Sequence, residues 1–297
     1  MSRSMRWFAG LFAVVLAGVF AVGCIAERQF YHPMRGESAN TPQGKGLAFE
    51  DVYFSSRDGT QLHGWFIPAE GESKGVVLHV HGNAGKIGYH FNMVSWLPRE
   101  HYGVFMFDYR GYGLSDDKWP SPRALLEDTQ AALAWLRQRS GVTSGKILVL
   151  GQSLGGNNAV AALALPDEDG KTGNVAGMVL DATFESYSAI ASDHFPVAGW
   201  LLSDRYSANR HIRQLAPIPL FFLHGTRDRV IGWQHSQRLF ETASPPKQIR
   251  IIPDVGHLRA LDDPGVRQEV LRFFESCLKE PRGFTRLYRH RPLCHSS

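Results

Sequence analysis

Three residue types that together perform acyl transfer occur in this chain in one order. Ser153 lies in Gly151-Gln152-Ser153-Leu154-Gly155, Asp228 in HGTRDRV and His257 in DVGHL. A serine hydroxyl is a poor nucleophile until an imidazole takes its proton, and the imidazole needs a carboxylate to hold its tautomer and orientation. The G-x-S-x-G spacing suits such a serine, because a strand turning sharply into a helix lifts the side chain clear of the sheet. Flanking glycines allow the close backbone approach, and Gly156 and Asn157 carry the small-residue run into the helix. The first N–H groups of that helix would favour negative charge beside the serine.

Attack on a carbonyl also needs donors for the developing oxyanion. The backbone N–H of Leu154 is one candidate. The loop HVHGNAG offers the other at Asn83, with Ala84 as its neighbouring alternative and His81 and Gly82 shaping the turn. Asp181 also closes an apolar run and competes with Asp228 as the orienting carboxylate. His257 competes with twelve other histidines, among them His79, His81 and His224. His79 and His81 fall within or at the end of a strand that precedes the serine, whereas His257 occupies a loop position after a glycine.

Such residues must be positioned by strand ends. From Gly75 onward, short apolar runs (GVVLHVHG, YGVFMFDYRG, KILVLGQS, VAGMVLDA, IPLFFLHG, KQIRIIPD) alternate with amphipathic stretches such as Pro122 to Gln138. The runs predict strands buried on both faces, and the stretches predict helices covering the sheet. Before them, alternation on either side of Asp58-Gly59 predicts a hairpin of Phe49 to Ser55 and Gln61 to Ile67. The sum is one α/β domain with a mostly parallel sheet and an antiparallel edge. The interval 182–216 is too long and too aromatic for a plain crossover, which predicts a helix pair on the core or a small cap over a pocket.

HGNAG, DYRGYGLSD, GQSLGG, HGTRDRV and VGH together resemble the α/β-hydrolase superfamily, in particular its compact serine hydrolases with an HGNAG loop. The resemblance runs from about Phe49 to Leu278 and implies the α/β-hydrolase fold, with helices on both faces of the sheet and a small helical cap. Ser153, Asp228, His257 is that family's chain order. The resemblance further implies Leu154 as an oxyanion donor and Arg110 and Ser115 as scaffold. The implied activity is hydrolysis of an ester or thioester in a small-molecule or lipid acyl substrate, without metal or organic cofactor. Similar HGNAG hydrolases remove fatty acyl groups from proteins, so thioesterase or deacylase activity is a neighbouring reading, and peptide hydrolysis a further one. A scaffold that binds a partner without catalysis would have lost its triad, yet all three residue types are present here.

The termini carry other information. Arg3 and Arg6 precede an uncharged apolar run, Trp7 to Ala26, the pattern of an export signal or of an anchor about long enough to span a bilayer. Ala21-Val22-Gly23-Cys24 resembles a bacterial lipobox, although Ala21 departs from the usual larger aliphatic residue. Either form predicts an exported, membrane-tethered body. The expected organisation is a targeting segment over 1–26, a linker over 27–48, the hydrolase domain over 49–280 and a basic tail over 281–297. Four arginines in that tail, with no acid, account for the whole formal charge of +4, which excludes a basic nucleic-acid-binding body. Cys24, Cys277 and Cys294 make no disulfide framework, and no metal-ligand spacing is present. Oligomeric state is not legible.

Overall fold

The computed structural model describes residues 30–195 and 197–279, so the expected targeting segment over 1–26, with Cys24, and the basic tail over 281–297 lie outside the described residues. Ten strands are described: β1 (His32–Pro33), β2 (Glu50–Ser55), β3 (Gln61–Ile67), β4 (Gly75–Val80), β5 (Ala84–Gly85), β6 (Tyr102–Asp108), β7 (Ile147–Gln152), β8 (Gly177–Asp181), β9 (Leu220–Gly225) and β10 (Lys247–Ile252). Eight of them form one sheet in the order β10-β9-β8-β7-β4-β6-β3-β2. β3 runs antiparallel to both β2 and β6, and every other pairing in this sheet is parallel. That is the arrangement the resemblance implied.

Five of the six apolar runs became central strands because both faces are covered, whereas KQIRIIPD, expected to be buried on both faces, forms the edge strand β10 and buries only Ile252. β4 and β7 are buried at every position, while the edge strand β2 alternates, with Val52 and Phe54 inward and Tyr53 outward. On one face, α2 (Pro122–Gln138), α3 (Leu154–Ala164) and α6 (Gln234–Thr242) contribute Leu125, Leu133, Val160 and Leu239 to a layer with Leu78, Val80 and Phe105. On the other, α1 (Ile87–His90) and α7 (Pro264–Lys279) contribute Ile87, Val270 and Phe274 to a layer with Val77, Val104 and Met106. Each such side chain, fully buried, contributes about 1.5–3 kcal/mol. α2 begins where the sequence permits: Ser121 Oγ accepts from Ala124 N at 3.2 Å, and Pro122 occupies the first turn.

The DYRGYGLSD turn is held as scaffold. Buried Arg110 donates to Asp128 Oδ1 at 2.6 Å, to Asp58 Oδ2 at 2.9 Å and to Ser56 Oγ at 3.1 Å, joining the hairpin turn to α2. Ser115 Oγ donates to Asp108 O (2.6 Å) and accepts from His63 N (2.9 Å).

One boundary differs from expectation. The linker predicted over 27–48 is, from Phe30 on, packed onto the body: Tyr31 is buried, and β1 pairs in parallel with β5. Buried Lys86 donates to the carbonyls of Arg35 (3.2 Å), Gly36 (3.1 Å) and Glu37 (2.6 Å). Main-chain carbonyls make these contacts, so side-chain polarity concealed them. The interval 182–216 folds into α4 (Tyr187–His194), α5 (Ala208–His211) and two 3-10 turns. Phe184 and Tyr187 anchor it in the core, while Phe195 and Trp200 point to solvent.

Candidate active site

Parallel strands bring their carboxyl ends to one rim, and every candidate residue follows such an end. Ser153 follows β7, Asp228 follows β9, His257 follows β10 and the Gly82-Asn83 loop follows β4.

Ser153 is held at φ 54°, ψ −119°. That is a strained conformation for a residue with a Cβ, and it persists only where the surroundings enforce it. The enforcement is close packing of β7 against α3. A Cβ on Gly151 would stand 2.6 Å from Gly156 Cα, and one on Gly155 would run into the Val80 carbonyl. Beneath the serine, His79 Nε2 donates to Gln152 Oε1 at 2.7 Å, and Gln152 Nε2 donates to Asp181 Oδ2 at 2.9 Å. This chain ties the ends of β4, β7 and β8 together. An amide oxygen can only accept, so His79 carries its proton on Nε2. Burial, outweighing the Gln152 bond, lowers the His79 pKa to about 3 and keeps the ring neutral.

The same chain separates the two competing carboxylates. Asp181 points to Gln152, whereas Asp228 Oδ2 accepts from His257 Nδ1 at 2.7 Å. Asp228 is further fixed by Val230 N (2.8 Å) and Ile231 N (2.9 Å) on Oδ1. Burial alone would raise its pKa, but bonds from His224 and His257 hold the carboxyl below its ordinary range. With Asp228 on Nδ1, the His257 Nε2 edge is left for a substrate or serine proton. His257 is followed by Leu258 at φ 54°, a second strained turn at the same rim.

Ser153 Oγ has no hydrogen-bond partner among the described residues, so the Asp228–His257 pair is formed and the bond from imidazole to serine is not. Relays of this kind are often loose before substrate binds. The two residues share a neighbour in His90. A Cβ on Gly82 would stand 3.3 Å from His90 Cε1 and 3.5 Å from Ser153 Cβ, and His90 in turn lies near enough to His257 to feel it electrostatically.

The backbone N–H groups of Asn83 and Leu154 have no acceptor among the described residues. The Asn83 side chain is engaged elsewhere by three bonds. Its Oδ1 accepts from Tyr112 OH (3.1 Å) and His32 N (3.2 Å), and its Nδ2 donates to Phe30 O (2.5 Å). Two histidines shape the same loop. His90 Nε2 donates to Ala84 O at 2.8 Å, and the His81 ring stacks on His90 with centroids 5.0 Å apart. Ala84, the alternative donor, lies in β5 opposite His32.

Three supports escaped the sequence. His224, which the sequence offered only as a rival to His257, is buried and donates from Nε2 to Asp228 Oδ2 (3.1 Å) and Ile231 O (2.9 Å). Its position four residues before Asp228, at the end of a strand, was the available signal. His90 had none, because it closes a four-residue helix, Ile87–His90, too short to show periodicity. The strap from Phe30 to Glu37, fastened to the Asn83 loop, read as polar linker.

A family profile described as serine aminopeptidase, S33, matches residues 71–213. The uncharacterized protein YfhR of Salmonella typhi is 43% identical over 263 residues, covering 84% of this chain and 87% of that protein. The alpha/beta hydrolase domain-containing protein WAV2 of Arabidopsis thaliana is 32% identical over 257 residues, 80% of this chain and 82% of that one. Among solved structures, the Pyrococcus furiosus esterase Pf2001 matches with a TM-score of 0.66 at 22% identity, over 82% of this chain and 98% of that one.

Proposed function

We propose, from the premise that this chain belongs to the α/β-hydrolase superfamily, that it is a serine hydrolase cleaving acyl esters or thioesters through an acyl-enzyme. The observation that carries the reading is the 2.7 Å bond from His257 Nδ1 to Asp228, beside a serine held at φ 54° on the rim where these strands end. His257 Nε2 takes the Ser153 proton as Oγ attacks the carbonyl carbon, and the oxyanion is met by the N–H groups of Asn83 and Leu154. The imidazolium then protonates the departing alcohol or thiol. Water, deprotonated by the same imidazole, attacks the acyl-enzyme and releases the acid and Ser153. The similarity to an esterase adds fold-level support only.

The body is tethered to a membrane, by the uncleaved run Trp7–Ala26 as signal-anchor or by acylated Cys24 as lipoprotein, and the preferred substrates are lipophilic. Among the described residues no helix is long and apolar enough to cross a membrane. A second reading, peptide hydrolysis, is favoured by the description of the matching profile. Fluorophosphonate labelling tests the core of the proposal: wild type is labelled and Ser153→Ala is not. Equal labelling of both removes Ser153 from its role, and labelling of neither returns the chain to a non-catalytic binding reading. p-Nitrophenyl esters of increasing chain length, set beside aminoacyl p-nitroanilides, separate the two readings. Turnover of the anilides alone would favour the peptidase.

A further inference from the structure

Large apolar side chains exposed to water are unevenly distributed on this molecule. Nine are exposed among the described residues, and all but Tyr53 lie on the strap or in connections that leave the carboxyl ends of the parallel strands, the rim that carries Ser153. Three stand together in the 182–216 interval: Phe195 at 70% exposure, Val197 at 73% and Trp200 at 91%. Val230 projects from the Asp228 loop, half exposed. Across the rim, Met34 and Tyr89 flank Gly85: Met34 N donates to Gly85 O at 3.1 Å, and the Tyr89 side chain packs on Gly85. Scattered apolar residues are ordinary on a protein surface, but eight of nine in the strap and in the connections that follow strand carboxyl ends point to this rim as an interaction site.

Chain length says what meets that face. The apolar run ends at Ala26, and only Glu27, Arg28 and Gln29 separate it from Phe30. Four residue steps reach at most about 14 Å. Phe30 itself is fixed at the rim, its carbonyl bonded by Asn83 and its ring packed on Tyr187 with centroids 5.4 Å apart. A bilayer that holds residues 7–26 is therefore within that reach of the oxyanion loop, and the body has little freedom to present another face. Charge does not oppose the approach at the catalytic loops: Arg227 pairs with Asp254 at 2.8 Å and Arg259 with Asp262 at 2.5 Å.

We infer that the rim docks on the bilayer surface, with Phe195, Val197 and Trp200 dipping into the interface and the mouth above Ser153 facing lipid, so that acyl substrates enter from the membrane. This rests on the hydrolase reading for its substrate and on the tether for its geometry. The test uses the full chain reconstituted in phosphatidylcholine vesicles. Vesicles with brominated acyl chains quench tryptophan emission on contact, and Trp200→Phe is expected to lose a measurable part of the quenching seen in wild type. Identical quenching in both overturns the docking. A Phe195→Ser/Val197→Ser/Trp200→Ser variant is expected to hydrolyse a long-chain ester carried in vesicles at least tenfold more slowly. Its rate on soluble p-nitrophenyl acetate is expected to stay within about twofold. Equal losses on both substrates, or none on either, overturn delivery from the membrane. A dimer in detergent that this variant breaks would assign the patch to a second copy of the chain and overturn the bilayer. If wild type resists fluorophosphonate and turns over neither ester, the hydrolase reading fails, and the quenching experiment still decides the docking by itself.

Discussion

At the residue scale, the site depends on which carboxylate reaches the imidazole. Asp228 and Asp181 both close apolar strands, and sequence logic could only rank them; the structure puts Asp228 on His257 and Asp181 on Gln152. Asp228→Asn is expected to lower kcat by about 10³–10⁴-fold, because an amide no longer holds the working tautomer. Asp181→Asn is expected to lower thermal stability while leaving kcat within about tenfold. Steady-state kinetics on a p-nitrophenyl ester, read beside Tm, checks both, and the reverse ranking would exchange the two assignments. The strand-end positions of Ser153 and His257 were legible because a G-x-S-x-G turn and a glycine-preceded loop histidine carry local signatures. His224 and His90 were not, since their roles arise from neighbours distant in the chain.

At the element scale, the strap is the main surprise. Asn83 spends its side chain on Phe30, His32 and Tyr112, which fastens the loop to the strap while its backbone N–H has no acceptor among the described residues. Asn83→Ala keeps that N–H but removes all three bonds. We expect kcat to fall by roughly tenfold with KM nearly unchanged, since a donor displaced by a fraction of an ångström is weaker only toward the oxyanion. An unchanged kcat would make the strap a packing element without influence on the loop. Arg110 acts through a different element, the turn that joins the hairpin to α2. With Asp128 fully buried, Arg110→Met would strand its carboxylate, and a loss of about 3–5 kcal/mol is expected in denaturant unfolding. A loss below about 1 kcal/mol would mean that Asp128 takes up a proton at little cost. The hairpin and the six later strands could be read from periodicity, although β10 lies at the sheet edge and buries only Ile252. The strap could not, because its contacts run through carbonyls that every residue possesses.

At the scale of the whole molecule, buried histidines link stability to pH. Burial lowers the pKa values of His79, His81 and His90 below the ordinary 6.5, that of His79 to about 3. The unfolded chain takes up these protons near 6.5 and the folded chain does not, so the unfolded state binds more protons as pH falls and stability drops. Each such proton contributes about 1.4 kcal/mol per pH unit. Asp228, held below its ordinary range, adds a loss of the same sign at lower pH. Raised pKa values at His63, Asp108, Asp128 and Asp181 act with the opposite sign, so the histidine contribution is read by difference: between pH 7 and 4 wild type should lose more Tm on acidification than His90→Gln. Parallel profiles would contradict neutral burial of that ring.

The sequence by itself determined the fold class, the strand-end placement of Ser153, Asp228 and His257, and the hairpin edge, because alternation, apolar runs and glycine-flanked turns are local consequences of backbone geometry and burial. Only the tertiary structure decided which of two carboxylates meets the imidazole, which histidines support the loops, and that residues 30–37 belong to the body. Those outcomes depend on where the sheet brings distant segments together, and chain spacing does not encode that distance.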